Sequence, residues 1–210
     1  SADYVPLEDR EFVCMNDEYS ECCTGQYTLV LSRKVISDHF GRNKACTRDI
    51  TDWPLFCRKH YQRATYNQEL WQLRKIDLIL RQFDVIEAQF PGTVYEVVLK
   101  KSEEARLNAF SRKVASGMST EEAIASVNPR PGKAFEAPID ILRELQYGMG
   151  PDRTIAQVKE TVNTIKDMLH KKETTQVPSI EFLPQLPGAM SRKNTPKKPT
   201  RVSSKGSVRK

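Results

Sequence analysis

All five cysteines of this 210-residue chain, Cys14, Cys22, Cys23, Cys46 and Cys57, lie at or before position 57. An odd count that includes an adjacent pair suits a disulfide scaffold poorly, because pairing would strand one thiol. The segment that holds them is turn-rich and polar, with few apolar groups, and Tyr27–Leu31 is its one stretch of strand character. Such a segment cannot bury enough surface to fold alone and needs a staple, for which a metal ion is the expected one.

Spacing narrows the donor set. Cys46, Cys57 and His60 read C-x10-C-x2-H, and a thiolate and an imidazole at that short spacing fit one helical turn facing one ion. Sulfur and imidazole nitrogen in tetrahedral array are what Zn²⁺ takes in structural sites, so Zn²⁺ is the expected cofactor. The fourth donor has to come from upstream. Cys23 is the first choice, Cys22 and Cys14 are the alternatives, and His39 stands behind them. Neighbouring cysteines seldom both bind one ion, and Cys14 would require a longer, mostly acidic loop to be ordered.

Charge is unevenly distributed. Residues 1–23 carry a net −6, residues 24–75 a net +6, residues 76–186 a net −2, and residues 187–210 a net +8 with no acid among them. Arg42, Lys44, Arg48, Arg58, Lys59 and Arg63 crowd the expected ligands, interleaved with Phe40, Trp53, Tyr61 and Tyr66. Six bases on a metal-held surface form an electrostatic footprint for nucleic-acid phosphate. Arginine also pairs in bidentate fashion with guanine O6 and N7. Arg48, Arg58 and Arg63 are therefore the candidates for base or phosphate contact. Lys44 and Lys59 are candidates for phosphate alone, and Asn43 for adenine or for holding a turn.

The string from Cys46 to Arg63 resembles the second half of the WRC zinc module of plant growth-regulating transcription factors, a C-x9-C-x10-C-x2-H pattern with Arg-Asp after the second cysteine and Arg after the histidine. Arg48-Asp49 and Arg63 occupy those places. The chain is also similar to a group of fungal nuclear proteins in Phe40-Gly41-Arg42-Asn43-Lys44, Cys46-Thr47 and Cys57 to Arg63. The resemblance covers roughly a quarter of the chain and implies zinc-dependent binding of double-stranded DNA and residence in the nucleus. The chain departs from the WRC pattern upstream, where Cys23 to Cys46 reads C-x22-C in place of C-x9-C, so the first ligand stays open.

Beyond residue 67 the periodicity is helical. Apolar positions from Gln68 to Phe90 recur every three to four residues and stop at Pro91-Gly92. Thr93–Leu99 is rich in β-branched residues, yet Glu96 and the charged run after it favour a helix reaching about Ser116. Ser119 with Glu122 forms a capping box, Ile139–Leu145 makes a short helix closed by Gly148 and Gly150, and Ile155 to about Lys172 makes the last. The expected fold is mainly α: a zinc-stabilised basic module with a short strand element (1–67), a helical bundle (68–186) and a disordered basic tail (187–210), in which Lys197–Arg201 could meet phosphate or an import receptor.

No run of about 18 apolar residues is present for a membrane span. No phosphate-binding glycine loop, zinc-protease motif or nucleophile elbow occurs either, and His170 sits among lysines at a helix end. Catalysis and a small-molecule substrate are accordingly not expected. The leading reading is a non-enzymatic, zinc-dependent, sequence-specific DNA-binding protein of the zinc-finger kind, a nuclear transcription regulator or chromatin factor. Its helical part would form core, contact protein partners or form a homodimer. The alternative is an interaction module of a chromatin or RNA assembly in which zinc is purely structural.

Overall fold

A computed structural model describes residues 5–18, 21–129 and 134–188. The fold is mainly α, with six α-helices among the described residues. The expected tail, beyond Gly188 and with the Lys197–Arg201 patch, lies outside the described residues, as does part of the Asn128–Gly132 loop.

The N-terminal third is built from single turns of 3₁₀ helix around a small hairpin. Strand β1 (Ser32–Lys34) pairs antiparallel with β2 (Leu55–Cys57), placing Ser32 opposite Cys57 and Lys34 opposite Leu55. The strand expected over Tyr27–Leu31 is displaced: Leu29–Leu31 is a 3₁₀ turn and pairing begins at Ser32. Leu29 and Val30 are 55% and 79% exposed, so their apolar character has no second sheet face to join, and β2 is itself a short strand.

Helix α1 (Arg58–Tyr66) follows β2 directly, and Asn67 then caps α2 (Gln68–Gln89) by accepting from the Leu70 N–H. The antiparallel partner of α2 is α6 (Ile155–His170), which starts at a Thr154–Gln157 capping box. Asp77 pairs with Lys166 and Asp84 with Lys159 across that interface. Helices α3 (Lys101–Ala115), α4 (Thr120–Val127, opened by the expected Ser119–Glu122 box) and α5 (Ile139–Leu145) complete the helical set. Arg106 ties them together, bonding the buried Glu103 at 2.7 Å, the Val127 carbonyl at the end of α4, and the Ala137 carbonyl ahead of α5.

The helix expected from Thr93 begins later than its periodicity suggests. Val94–Leu99 is strand β3, the centre of an antiparallel sheet in the order β4 (Gly150–Arg153), β3, β5 (Ile180–Gln185). Tyr95, Val97 and Leu99 point inward while Glu96 is exposed. Ile180, Phe182 and Pro184 supply the matching inward row, with Tyr95 opposite Pro184 and Leu99 opposite Ile180. Pro184 is tolerated because β5 is an edge strand with one side free of ladder bonds.

One apolar core runs through both the cysteine-bearing third and the helices. Phe83 of α2 is fully buried, with Phe40, Tyr95 and Phe182 edge-on around it at centroid distances of 5.1–5.2 Å. Phe40 also meets Trp53 at 5.6 Å. Gly41 (φ +76°) makes the turn after Phe40, and a Cβ there would lie 2.6 Å from Leu183 of β5. The segment between β1 and β2 is thereby pressed onto β5, which decides where two of its candidate residues end up.

Candidate metal centre

Cys14, Cys22, Cys57 and His60 converge. Their donor atoms all lie within 4.8 Å of one another, and all four residues are buried. The spacing is C-x7-C-x34-C-x2-H. Cys57 and His60 are the two expected ligands that the structure brings together, joined by both upstream alternatives.

Cys23 and Cys46, expected as ligands, are not in the cluster. Cys23 is exposed and Cys46 half-buried. Cys46 is carried away by the excursion from β1 to β2: it lies in the 3₁₀ turn Ala45–Thr47, next to Lys44, which is ion-paired to Glu181 of β5 at 3.0 Å. His39 travels the same way and directs Nδ1 at the Ile180 carbonyl, 2.9 Å off. Of the adjacent pair, Cys22 faces inward because the Tyr27 hydroxyl donates to its carbonyl at 2.8 Å, and Arg10 stacks 4.0 Å over the Tyr27 ring.

The local chemistry suits a tetrahedral soft cation. Cys22 Sγ and Cys57 Sγ are 3.9 Å apart, and Cys14 Sγ is 3.5 Å from His60 Nδ1. Thiolates bound tetrahedrally at about 2.3 Å sit about 3.8 Å apart, and a sulfur–nitrogen edge is slightly shorter. Cys57 is the N-cap of α1, and its sulfur accepts from the His60 N–H at 3.4 Å and from the Thr24 hydroxyl at 3.3 Å. Burial raises its pKa, but bonds from Thr24, from the His60 N–H and from the Cys22 and Cys14 thiols outweigh it, so the group sits below an ordinary thiol. A thiolate at a helix N-terminus also gains from the helix dipole. Cys14 goes the other way, pushed up to about 12 by burial. Buried thiols that resist ionisation alone are the kind a divalent cation deprotonates on binding.

The surroundings hold the donors in place. Arg74 of α2 donates to the Met15 carbonyl at 3.2 Å, tethering the residue after Cys14, and stacks over Phe56 beside Cys57. Gln26 accepts from the Lys59 N–H at 3.0 Å, fastening the Cys22 turn to the first turn of α1.

The six candidate bases divide. Arg58, Lys59 and Arg63 are all exposed on α1, directly after the cluster. Lys59, Gln62, Arg63 and Tyr66 border one shallow hollow, with Tyr66 92% exposed. Arg42 and Lys44 line a different cleft, against β5, and Arg48 is exposed but borders neither. No helix among the described residues is long and apolar enough to cross a membrane. Comparison of the chain with protein-family models, with curated proteins and with solved structures gave no match.

Proposed function

We propose that this chain is a zinc-dependent, sequence-specific DNA-binding protein acting in the nucleus, as a transcription regulator or chromatin factor, with α1 as its reading element. Three thiolates and one imidazole form a donor set that favours Zn²⁺. The observation that carries the reading is the position of α1, whose N-cap and third residue are both metal donors while its outer face is basic. Lys59, Gln62, Arg63 and Tyr66 follow the i, i+3, i+4, i+7 rule and share that face.

Arg58 and Lys59 stand at a helix N-terminus, where positive charge opposes the dipole by about 0.3–1 kcal/mol each. Their presence is unfavourable for the helix and favourable for an anionic partner. An α-helix with its side chains is about 10–12 Å across, a diameter that a major groove about 12 Å wide admits. Arg63 suits guanine, Gln62 adenine, and Lys59 the phosphate backbone.

A second reading rests on a different detail. The Lys59 ammonium lies 3.4 Å from the Thr24 carbonyl, and three thiolates around one divalent ion leave a net negative charge that nearby bases offset. On that reading the metal only staples the fold, and the bases meet RNA or an acidic protein. Selection of duplexes from a random pool, followed by titration across a salt series, separates the two. The DNA reading expects an enriched site whose affinity falls at least about tenfold in Arg63→Ala and whose salt slope drops by about one unit in Lys59→Ala. Chelation should abolish the complex. Binding that follows salt but shows no sequence preference, with no site enriched from the pool, would reject it in favour of the staple.

A further inference from the structure

A second basic site shares no residue with α1. A cleft of about 700 Å³ opens between the His39 turn, the β3–α3 junction and the start of β5, lined by five cations and three carboxylates. Lys44 is already committed to Glu181. Arg42, Lys75, Lys100 and Lys101 line the cleft without an ion pair among the described residues. Lys75 is half-buried, and burial holds its ammonium below the usual lysine range despite Asp38 nearby. A cation kept there in part-desolvated form favours an anionic partner.

Two features of the wall add chemistry. Helix α3 begins at this cleft with Lys100 as N-cap and no side chain caps it; the Glu103 and Glu104 amides bond the Lys100 carbonyl, which leaves those of Lys101 and Ser102 for an anion there. His39 is 4% exposed; Nδ1 is engaged by the Ile180 carbonyl, and Nε2 is buried with no hydrogen-bond partner among the described residues. The Nδ1 contact fixes the His39 turn against the start of β5, so this wall of the cleft is rigid, and Asp38 and Glu104 supply its acceptors. Leu99, Phe135 and Val177 supply an apolar side.

We propose that this cleft binds a phosphate monoester with a hydroxyl-bearing body, the chemistry shared by sugar phosphates and mononucleotides. The phosphate sits among Lys75, Lys100, Lys101 and the first turn of α3. Hydroxyls of the body donate to Asp38 or Glu104. The apolar side packs against the body of the ligand. This site is separate from α1 and does not depend on the DNA reading.

The test is an NMR titration of the full chain with ribose 5-phosphate, adenosine 5′-monophosphate, inorganic phosphate and adenosine in turn. Both esters should shift resonances of Leu99 and Val177, with adenosine and inorganic phosphate at least about tenfold weaker. Tighter binding of the monophosphate assigns a mononucleotide, and equal binding assigns a sugar phosphate. The exposed pair Lys100→Glu with Lys101→Glu should weaken both esters about tenfold or more, and Lys75→Met likewise, while Arg58→Ala changes neither. The proposal is overturned if inorganic phosphate binds as well as the esters, if the lysine variants bind normally, or if neither ester binds at about 10 mM.

Discussion

Removing the zinc proposed for the Cys14, Cys22, Cys57 and His60 cluster is expected to unfold β1, β2 and α1 while leaving the α2–α6 pair folded. Structural zinc in small modules contributes on the order of 10 kcal/mol of folding free energy at neutral pH, comparable to the whole stability of a typical domain. Phe40 anchors the middle of this segment in the common core, but the cluster end has little regular structure, a short hairpin and isolated 3₁₀ turns with side-chain ties such as Tyr27 to the Cys22 carbonyl. Chelation followed by hydrogen exchange should therefore expose the amides of β1, β2 and α1, with α6 remaining protected. Cys57→Ser should have a comparable effect without chelator, because it removes a donor from the cluster. Identical exchange with and without chelator would show that the thiols are merely buried.

The second large effect concerns the core. Phe83→Ala is expected to cost about 3–5 kcal/mol, the range for deleting a buried aromatic ring. Phe83 has no exposure, and its ring is the one against which Phe40, Tyr95 and Phe182 all pack edge-on. Those three come from the N-terminal third, β3 and β5, so the cavity would loosen three parts of the fold together. Leu70→Ala on the same helix is the control: Leu70 is 63% exposed, and its removal should cost under about 0.5 kcal/mol. Denaturant unfolding of both variants measures the difference. A loss below about 1 kcal/mol for Phe83→Ala would mean that the rings do not form a common centre.

The helices were the most legible part of the fold. Their periodicity is local, and their ends carry chemical marks such as Pro91-Gly92 and the Ser119–Glu122 box, so α2, α4, α5 and α6 stand close to where the sequence puts them. The sheet was not legible in the same way. Val94–Leu99 becomes a strand because Ile180–Gln185, far downstream in the chain, pairs with it, and no local pattern announces a distant partner. Glu96 argues against a strand only when both faces are buried, whereas here it takes the exposed side.

The candidate metal site divides along the same line. Cys57 and His60 lie within one turn, so their convergence follows from helix geometry alone. Cys46 carries an equally strong spacing signal, yet Gly41 and Lys44 attach its segment to β5 and away from the cluster. Choosing Cys22 over Cys23 depends on which way a turn faces, which Tyr27 decides from further along the chain. Cys14 could be recognised only from the tertiary arrangement, since it arrives from the far side of an acidic loop and is tethered through Met15 by Arg74 of α2.

The most direct test of the central claim is metal content per chain, by native mass spectrometry, for the wild type and four single variants. Cys14, Cys22, Cys57 and His60 as one tetrahedral set predict one zinc in the wild type, in Cys23→Ser and in Cys46→Ser, and loss or marked weakening in Cys14→Ser and Cys22→Ser. Zinc lost from Cys46→Ser and retained in Cys14→Ser would contradict the account and return the ligand set to the Cys46–Cys57–His60 spacing.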